Sequence, residues 1–232
     1  MKSRLPYLYL IGAFLHIALL AFLPSGEYLL AATKLTLMPL LMAYVYLHEL
    51  KHESRASGRL LVLALFFSFL GDFFLLDLID REGLFIFGLS SFLVTHLIYI
   101  YLFGKGKPLS ALFKSSVTIL LLAFILLWAG FITLKLYPAL GDMQWPVLIY
   151  IVIISMMSIT AVNRKAYVAS FSFLAVFAGA ILFMLSDMFI AVDKFLETFD
   201  YSRILVMSTY LCAQWLIVNG LLFEYQMHAE HE

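Results

Sequence analysis

The chain has 232 residues, of which 64% are hydrophobic and 13% are charged, whereas ordinary globular domains are about 45–50% apolar and about 25% charged. A soluble fold of this size cannot bury so much apolar surface, so lipid must be its solvent. The formal net charge is zero, so nothing in the composition suggests binding to nucleic acid, whose phosphates require a concentrated basic surface. The single cysteine, Cys212, excludes an intrachain disulfide and a cysteine-rich metal site.

Eight apolar runs are each about long enough for a helix that crosses a bilayer, which needs roughly 20 apolar residues. Only Pro24, Ser25 and Gly26 separate the first run from the second. The pattern predicts an all-α fold, a polytopic membrane helix bundle of eight transmembrane helices forming a single integral membrane domain over residues 1–232. The predicted spans are 7–23, 27–47, 60–78, 84–103, 115–136, 146–163, 168–191 and 203–225.

The basic residues predict the orientation, because Lys and Arg accumulate on the cytoplasmic side. With eight spans, the side of the two termini receives Lys2, Arg4, Lys51, Arg55, Arg59, Lys105, Lys107, Lys114, Arg164 and Lys165. The other side receives only Arg81, Lys135, Lys194 and Arg203. We therefore expect both termini to be cytoplasmic. As a separate expectation, the host membrane is a bacterial inner membrane rather than the endoplasmic reticulum.

Two spans resemble each other. The third contains SFLGDFFLLD and the seventh contains FMLSDMFIAVD, each with an aspartate directly after a small residue. The two spans are four helices apart and would run in the same direction. This spacing is consistent with a 4+4 parallel repeat.

Several polar residues lie inside the apolar runs. Ionisable groups in a bilayer cost at least ~2.5–3.5 kcal/mol each on insertion scales, so they are rare and usually functional. The ionisable residues Asp72, Asp187, Lys34 and His96 are among them. Helical spacing places Ser68 on the same helix face as Asp72. Two other spans each carry residues that share one helix face: Gly88, Phe92, His96 and Tyr99 on the fourth span, and Tyr210 and Gln214 on the eighth.

Each of these residues also has a purely structural interpretation. Asp72 could be a buried hydrogen-bonding carboxylate, and Asp187 a carboxylate wetted near the membrane surface. Lys34 could extend its ammonium to the membrane surface or neutralise one aspartate. His96 could be a hydrogen-bonding residue between helices, and the tyrosines could belong to the packing or to an interfacial belt.

These residues lie within stretches that resemble the lysoplasmalogenase family, the YhhN-like integral membrane proteins. The stretches follow the family order over most of the chain: TKLTLMPLL, SFLGDFFLL, FGLSSFLVTHLIY, GAILFMLSDMFIAVDKF and VMSTYLCAQWLI. The family often has a proline directly after the lysine of the second span. Here Leu35 follows Lys34, and the proline comes later, at Pro39.

The resemblance implies hydrolysis of the vinyl ether bond of lysoplasmalogens to a fatty aldehyde and a glycerophospho-base. This chemistry needs a carboxylic acid and a carboxylate, as in glycosidases, and neither step requires a metal or other cofactor. The expected partners are a lysophospholipid substrate and membrane lipid. We expect Asp72 and Asp187 to be catalytic, and the expected pocket residues are Lys34, Ser68, His96, Tyr99, Tyr150, Ser186, Tyr210 and Gln214.

Two other functions are compatible with the same residues. A secondary transporter, for example a proton-coupled one, could use the buried aspartates as carriers. Transporters often have matched interrupted helices in their two halves, but Pro39 has no counterpart in the sixth span. A membrane scaffold would explain the fold and leave the buried charges without a purpose.

Overall fold

The structure, a computed structural model, describes residues 4–48, 55–76 and 83–230, with side chains up to residue 227. Within these ranges the regular structure is helical. Each of eight helices is long and apolar enough to cross a membrane, so the predicted all-α, eight-span architecture is confirmed. The helices are α1 (Leu5–Phe22), α2 (Glu27–Leu47), α3 (Arg55–Phe74), α4 (Leu84–Gly104), α5 (Ser116–Leu136), α6 (Gln144–Asn163), α7 (Ser170–Phe195) and α8 (Ser202–Glu230).

The helix ends differ from the apolar runs where polar residues continue a helix. α3 begins five residues before its predicted start at residue 60, and Ser57 and Gly58 are buried in its first turn. The last two residues of that predicted span, 77 and 78, lie outside the described residues. α7 continues through Asp193 and Lys194. The short break after α1 is confirmed, and the Gly26 N–H closes it by donating to the Leu23 carbonyl at 3.0 Å.

The chain divides into two compact units, with boundaries inside α4 and α8. The first comprises Met1–Ile98 with Tyr225–Glu232. In it α2 packs against both α1 and α3. Its fully buried apolar side chains come mainly from α2 and α3: Leu37, Met38, Leu41, Leu61 and Leu65.

The second unit comprises Tyr99–Glu224. α6 packs against α5 and α7. α7 and α8 meet through glycines: a Cβ on Gly179 would lie 2.7 Å from Ile217 Cγ1, and one on Gly220 would lie 2.8 Å from Val176 Cγ2. Small residues permit such close helix contacts in membranes. α5 is the least buried span, as expected for a helix that faces lipid.

A buried ion cluster lies at one end of the second unit. Arg164 Nη2 is 2.8 Å from Glu224 Oε2, and Lys107 Nζ is 2.7 Å from Glu224 Oε1. Arg164 also donates to Ser172 Oγ at 2.7 Å, and Ser172 donates to the Gly220 carbonyl. The sequence alone suggested that Arg164 and Lys107 were loop cations and gave no role to Glu224. In the structure, the ion pairs among these three residues instead connect the segments that follow α4 and α6 with α8.

Candidate functional site

Asp72 and Lys34 form an ion pair in the first unit. Lys34 Nζ lies 3.8 Å from Asp72 Oδ1 and donates to the Leu75 carbonyl at 3.3 Å. The Asp72 side chain is 4% exposed and the Lys34 side chain 16%. Lys34 therefore has two partners within the protein, which favours the interpretation that it neutralises one aspartate.

Close packing between α3 and α4 fixes the position of Asp72. A Cβ on Gly71 would lie 2.6 Å from the Phe92 ring, and one on Gly88 would lie 2.7 Å from Leu75 Cγ. The first contact lies directly before Asp72. The second contact involves Leu75, whose carbonyl accepts a hydrogen bond from Lys34. The glycine in the GD motif thus lets α4 approach the ion pair.

Ser68 and His96 are fully buried, and Ser68 lies one helical turn before Asp72 on α3. Ser68 Oγ is 3.1 Å from Thr95 Oγ1, and Thr95 donates to the Ala64 carbonyl. These bonds join α3 to α4. Ser68 is bonded to Thr95, a residue that sequence reasoning missed because a threonine among apolar residues carries no spacing signal.

Asp187 and Tyr150 form the corresponding pair in the second unit. The Tyr150 hydroxyl donates to Asp187 Oδ2 at 2.5 Å. Tyr150 is buried and Asp187 is partly buried. A charge-assisted O–H···O bond of 2.5–2.7 Å is among the stronger hydrogen bonds in proteins, so this phenol fixes the orientation of the carboxyl group.

Two contacts with α8 place the helix turn that carries Asp187. Ser186 Oγ donates to the Val206 carbonyl at 3.1 Å. Phe183, four residues before Asp187, meets the Tyr210 ring edge-on with centroids 5.4 Å apart. The first contact involves the residue directly before Asp187, and the second involves a residue one turn before it. Ser186 and Tyr210 therefore help to fix the position of the helix turn that carries Asp187.

Tyr99 and Gln214 form a third buried pair. The Tyr99 hydroxyl donates to Gln214 Oε1 at 2.6 Å, and both side chains are fully buried. The Tyr99 ring stacks on Phe103 with centroids 5.5 Å apart. Tyr99, Tyr150 and Tyr210 are all inside the protein, which excludes an interfacial belt for these three tyrosines.

The two aspartate pairs have matching positions in their own halves. Asp72 is the eighteenth residue of α3, and Asp187 is the eighteenth of α7. Their partners come from the preceding helices: Lys34 is the eighth residue of α2 and Tyr150 the seventh of α6. Each aspartate also follows a small residue that contacts the next helix. The parallel repeat and a shared pocket for the two aspartates stay predictions.

Comparisons with known proteins agree with the resemblance in the motifs. The profile of the YhhN family matches residues 29–221. Bovine lysoplasmalogenase TMEM86A is 36% identical over 165 residues, covering 69% of this chain and 64% of that protein, slightly under two thirds of its length. Human lysoplasmalogenase TMEM86A is 32% identical over 202 residues, covering 84% of this chain and 80% of that protein. Rat lysoplasmalogenase TMEM86B is 32% identical over 140 residues, covering 60% of this chain and 52% of that protein. No solved structure matches the chain.

The profile match covers most of the chain and includes both aspartates and their partners. It extends from the second helix into the eighth. The chain belongs to the YhhN family of integral membrane proteins, as its motifs predicted.

Proposed function

We propose that this protein is a membrane-embedded hydrolase that cleaves the vinyl ether bond of lysoplasmalogens. The products would be a fatty aldehyde and a glycerophospho-base. The main support is the family membership, with relatives named lysoplasmalogenases, together with two aspartates that are each held by a specific donor inside the helices.

The chemistry of a vinyl ether accounts for two carboxyl groups. An acid protonates the β-carbon of the double bond and generates an oxocarbenium ion. Water then adds with the help of a base, and the resulting hemiacetal collapses to an aldehyde and an alcohol. A buried carboxyl group can remain protonated near neutral pH, and a second carboxylate can activate water as glycosidases do.

We propose that Asp72 and Asp187 carry these two roles. Both lie in apolar helices, where an unused carboxylate would be costly. The apolar helix surfaces would accept the alkenyl chain of the substrate. Lys34, Ser68, His96, Tyr99, Tyr150, Ser186, Tyr210 and Gln214 are the proposed pocket residues.

The test is aldehyde release. The purified protein is incubated in detergent with lysoplasmenyl-ethanolamine, and the aldehyde and the glycerophospho-base are quantified. The matched control substrate is the 1-acyl lysophospholipid of the same chain length, which lacks the vinyl ether. Stoichiometric aldehyde and glycerophospho-base would support the proposal. Absence of aldehyde, with substrate uptake or exchange in reconstituted vesicles, would favour the transporter.

A further inference from the structure

We propose that Arg164 and Lys107, at one end of the second unit, form a binding site for a phosphate group, supplied by a phospholipid head group or by free phosphate. The buried ion cluster holds these two cations and one carboxylate, that of Glu224, so it carries one excess positive charge. The other carboxylates of the second unit lie toward the opposite ends of α6 and α7: Asp142, Asp187, Asp193, Glu197 and Asp200. One further anion would balance the cluster. This inference goes beyond the proposed hydrolysis and does not depend on it.

The Arg164 guanidinium has donors left for such an anion. Arginine carries five N–H donors. Nη2 donates to Ser172 Oγ and lies beside Glu224 Oε2. Nε and Nη1 have no hydrogen-bond partner within the part of the chain that the structure describes, although the side chain is fully buried. Unbonded donors are destabilising inside a protein, and phosphate oxygens accept strong bonds from a guanidinium.

Lys107 connects this buried guanidinium with the protein surface. Its ammonium has three donors. One bonds Glu224 Oε1 at 2.7 Å and another bonds the Lys105 carbonyl at 3.3 Å, so one remains. The Lys107 side chain is 10% exposed, and its neighbours Lys105 and Pro108 are exposed. Because both cations bind the same carboxylate, an anion that reaches Lys107 from outside lies close to Arg164.

The backbone around the two cations is held in place by hydrogen bonds. Asn163, directly before Arg164, donates from Nδ2 to the carbonyls of Lys107 and Pro108 at 3.0 and 3.3 Å. The Tyr167 hydroxyl donates to the same Pro108 carbonyl at 2.8 Å. The segment after α4 is therefore fixed against the segment after α6. A site that is formed before its ligand arrives binds at a lower cost in entropy.

The position of Arg164 along α6 matches the phosphate layer of a membrane. Arg164 directly follows α6, whose 20 residues give a length of about 30 Å, close to the thickness of the hydrocarbon core. Basic sites at the ends of membrane helices bind anionic head groups. A phosphodiester carries one negative charge, which equals the excess positive charge of the cluster. A phospholipid phosphate therefore fits in depth and in charge, and free phosphate offers the same oxygens.

The site is separate from the candidate catalytic aspartate of the same unit. Arg164 bonds Ser172, which lies fifteen residues before Asp187 on α7, or about 22 Å along the helix. In a lysoplasmalogen a single glycerol joins the phosphate to the vinyl ether oxygen, which is a much shorter distance. A phosphate bound at Arg164 therefore belongs to a second molecule rather than to a substrate that reacts at Asp187.

Thermal melting of the detergent-purified protein tests the site with two probes. One probe is inorganic phosphate, compared with chloride at equal ionic strength. The other is phosphatidylglycerol in mixed micelles, compared with diacylglycerol of the same chains, which lacks the phosphate. A probe at about ten times its Kd should raise the melting temperature by roughly 2–4 °C. A rise with phosphatidylglycerol alone would identify a phospholipid as the ligand, and a rise with inorganic phosphate would show that the free ion suffices.

Three variants link the rise to the two cations. Lys107→Met removes the partly exposed cation and leaves Arg164 paired with Glu224, so we expect a folded protein. Its affinity for phosphate should fall about tenfold or more, which cuts the rise in melting temperature to about a third or less at the same probe concentration. Lys107→Arg keeps the charge and should keep most of the rise. Arg164→Lys keeps the pairing charge but has three donors instead of five, and it should lower the rise as well.

The matched control is Lys105→Met, which removes an exposed lysine two residues from Lys107 and leaves the Lys105 carbonyl in place. It should keep most of the wild-type rise. No rise with either probe, an equal rise in Lys107→Met and the wild type, or an equal loss in Lys105→Met and Lys107→Met would overturn the proposal. The melting experiment does not use aldehyde release, so its outcome and that of the hydrolysis assay are independent.

Discussion

Arg164 and Glu224 meet at 2.8 Å inside the second unit, where the Arg164 side chain is fully buried and that of Glu224 is 6% exposed. The same carboxylate also neutralises Lys107. Glu224→Gln would leave both cations without their shared countercharge. Removal of one member of a buried ion pair typically costs about 3–5 kcal/mol, so we expect a clear loss of thermal stability in detergent.

The matched control is Glu197→Gln, which makes the same change at an exposed position just after α7. Its melting temperature should stay within a degree or two of the wild type, since exposed charges contribute little. Equal melting temperatures for Glu224→Gln and the wild type would show that the cluster contributes nothing to stability.

Gly71→Ala should displace the α3 segment that carries Asp72. The added Cβ would lie 2.6 Å from the Phe92 ring, and overpacking of this kind usually costs about 1–3 kcal/mol. Because Asp72 is the next residue, we expect kcat for aldehyde release to fall together with the melting temperature. Both are measured on the same purified sample.

Gly130→Ala is the matched control, since a Cβ there meets no atom within 4 Å. We expect unchanged activity and equal or slightly higher stability, because alanine favours a helix over glycine. Shortening the opposing ring, as in Gly71→Ala with Phe92→Leu, should recover part of the loss. Wild-type behaviour of Gly71→Ala alone would contradict the packing argument.

Hydropathy along the sequence predicted the fold because a bilayer imposes one strong rule, that each span must be apolar and helical. It was less accurate at helix ends. Arg55 begins α3 although the apolar run begins later. A polar turn can extend a helix beyond the membrane, because its polar side chains are then not exposed to lipid. Helix length therefore depends on local packing as well as on hydropathy.

The candidate site was partly predictable. Asp72 and Lys34 stood out because charges are expensive in lipid, but sequence spacing could not pair residues on different helices. Tyr150 was an expected pocket residue, but no spacing pattern linked it to a partner, and the structure alone joins it to Asp187. Glu224 was missed because it lies near the end of an apolar run, where a solvated carboxylate is the simpler expectation.

The excess of basic residues on the side of the termini predicts that both termini are cytoplasmic. Single cysteines at Ser110 and Asp142 test this, after the native Cys212 is replaced by alanine. Both positions are exposed, and they lie on opposite sides of α5 in the chain. A membrane-impermeant thiol reagent should label Ser110→Cys from the cytoplasmic side and Asp142→Cys from the other. Labelling of both from one side would contradict the topology.

Asp72→Asn and Asp187→Asn should each strongly reduce the rate of the chemical step and leave the fold intact. Asparagine keeps the shape and much of the hydrogen bonding of aspartate but removes its titrating proton. General acid–base assistance is typically worth ~10²–10⁴-fold, so each variant should lose at least about two orders of magnitude in kcat for vinyl ether hydrolysis. Ser68→Ala, one turn from Asp72, should lose much less, because Ser68 is bonded to Thr95 and could at most help to orient the carboxylate. Size-exclusion profiles and melting temperatures of the three variants check that each is folded. Near-normal hydrolysis by a well-folded Asp72→Asn protein would rule out the two-aspartate mechanism.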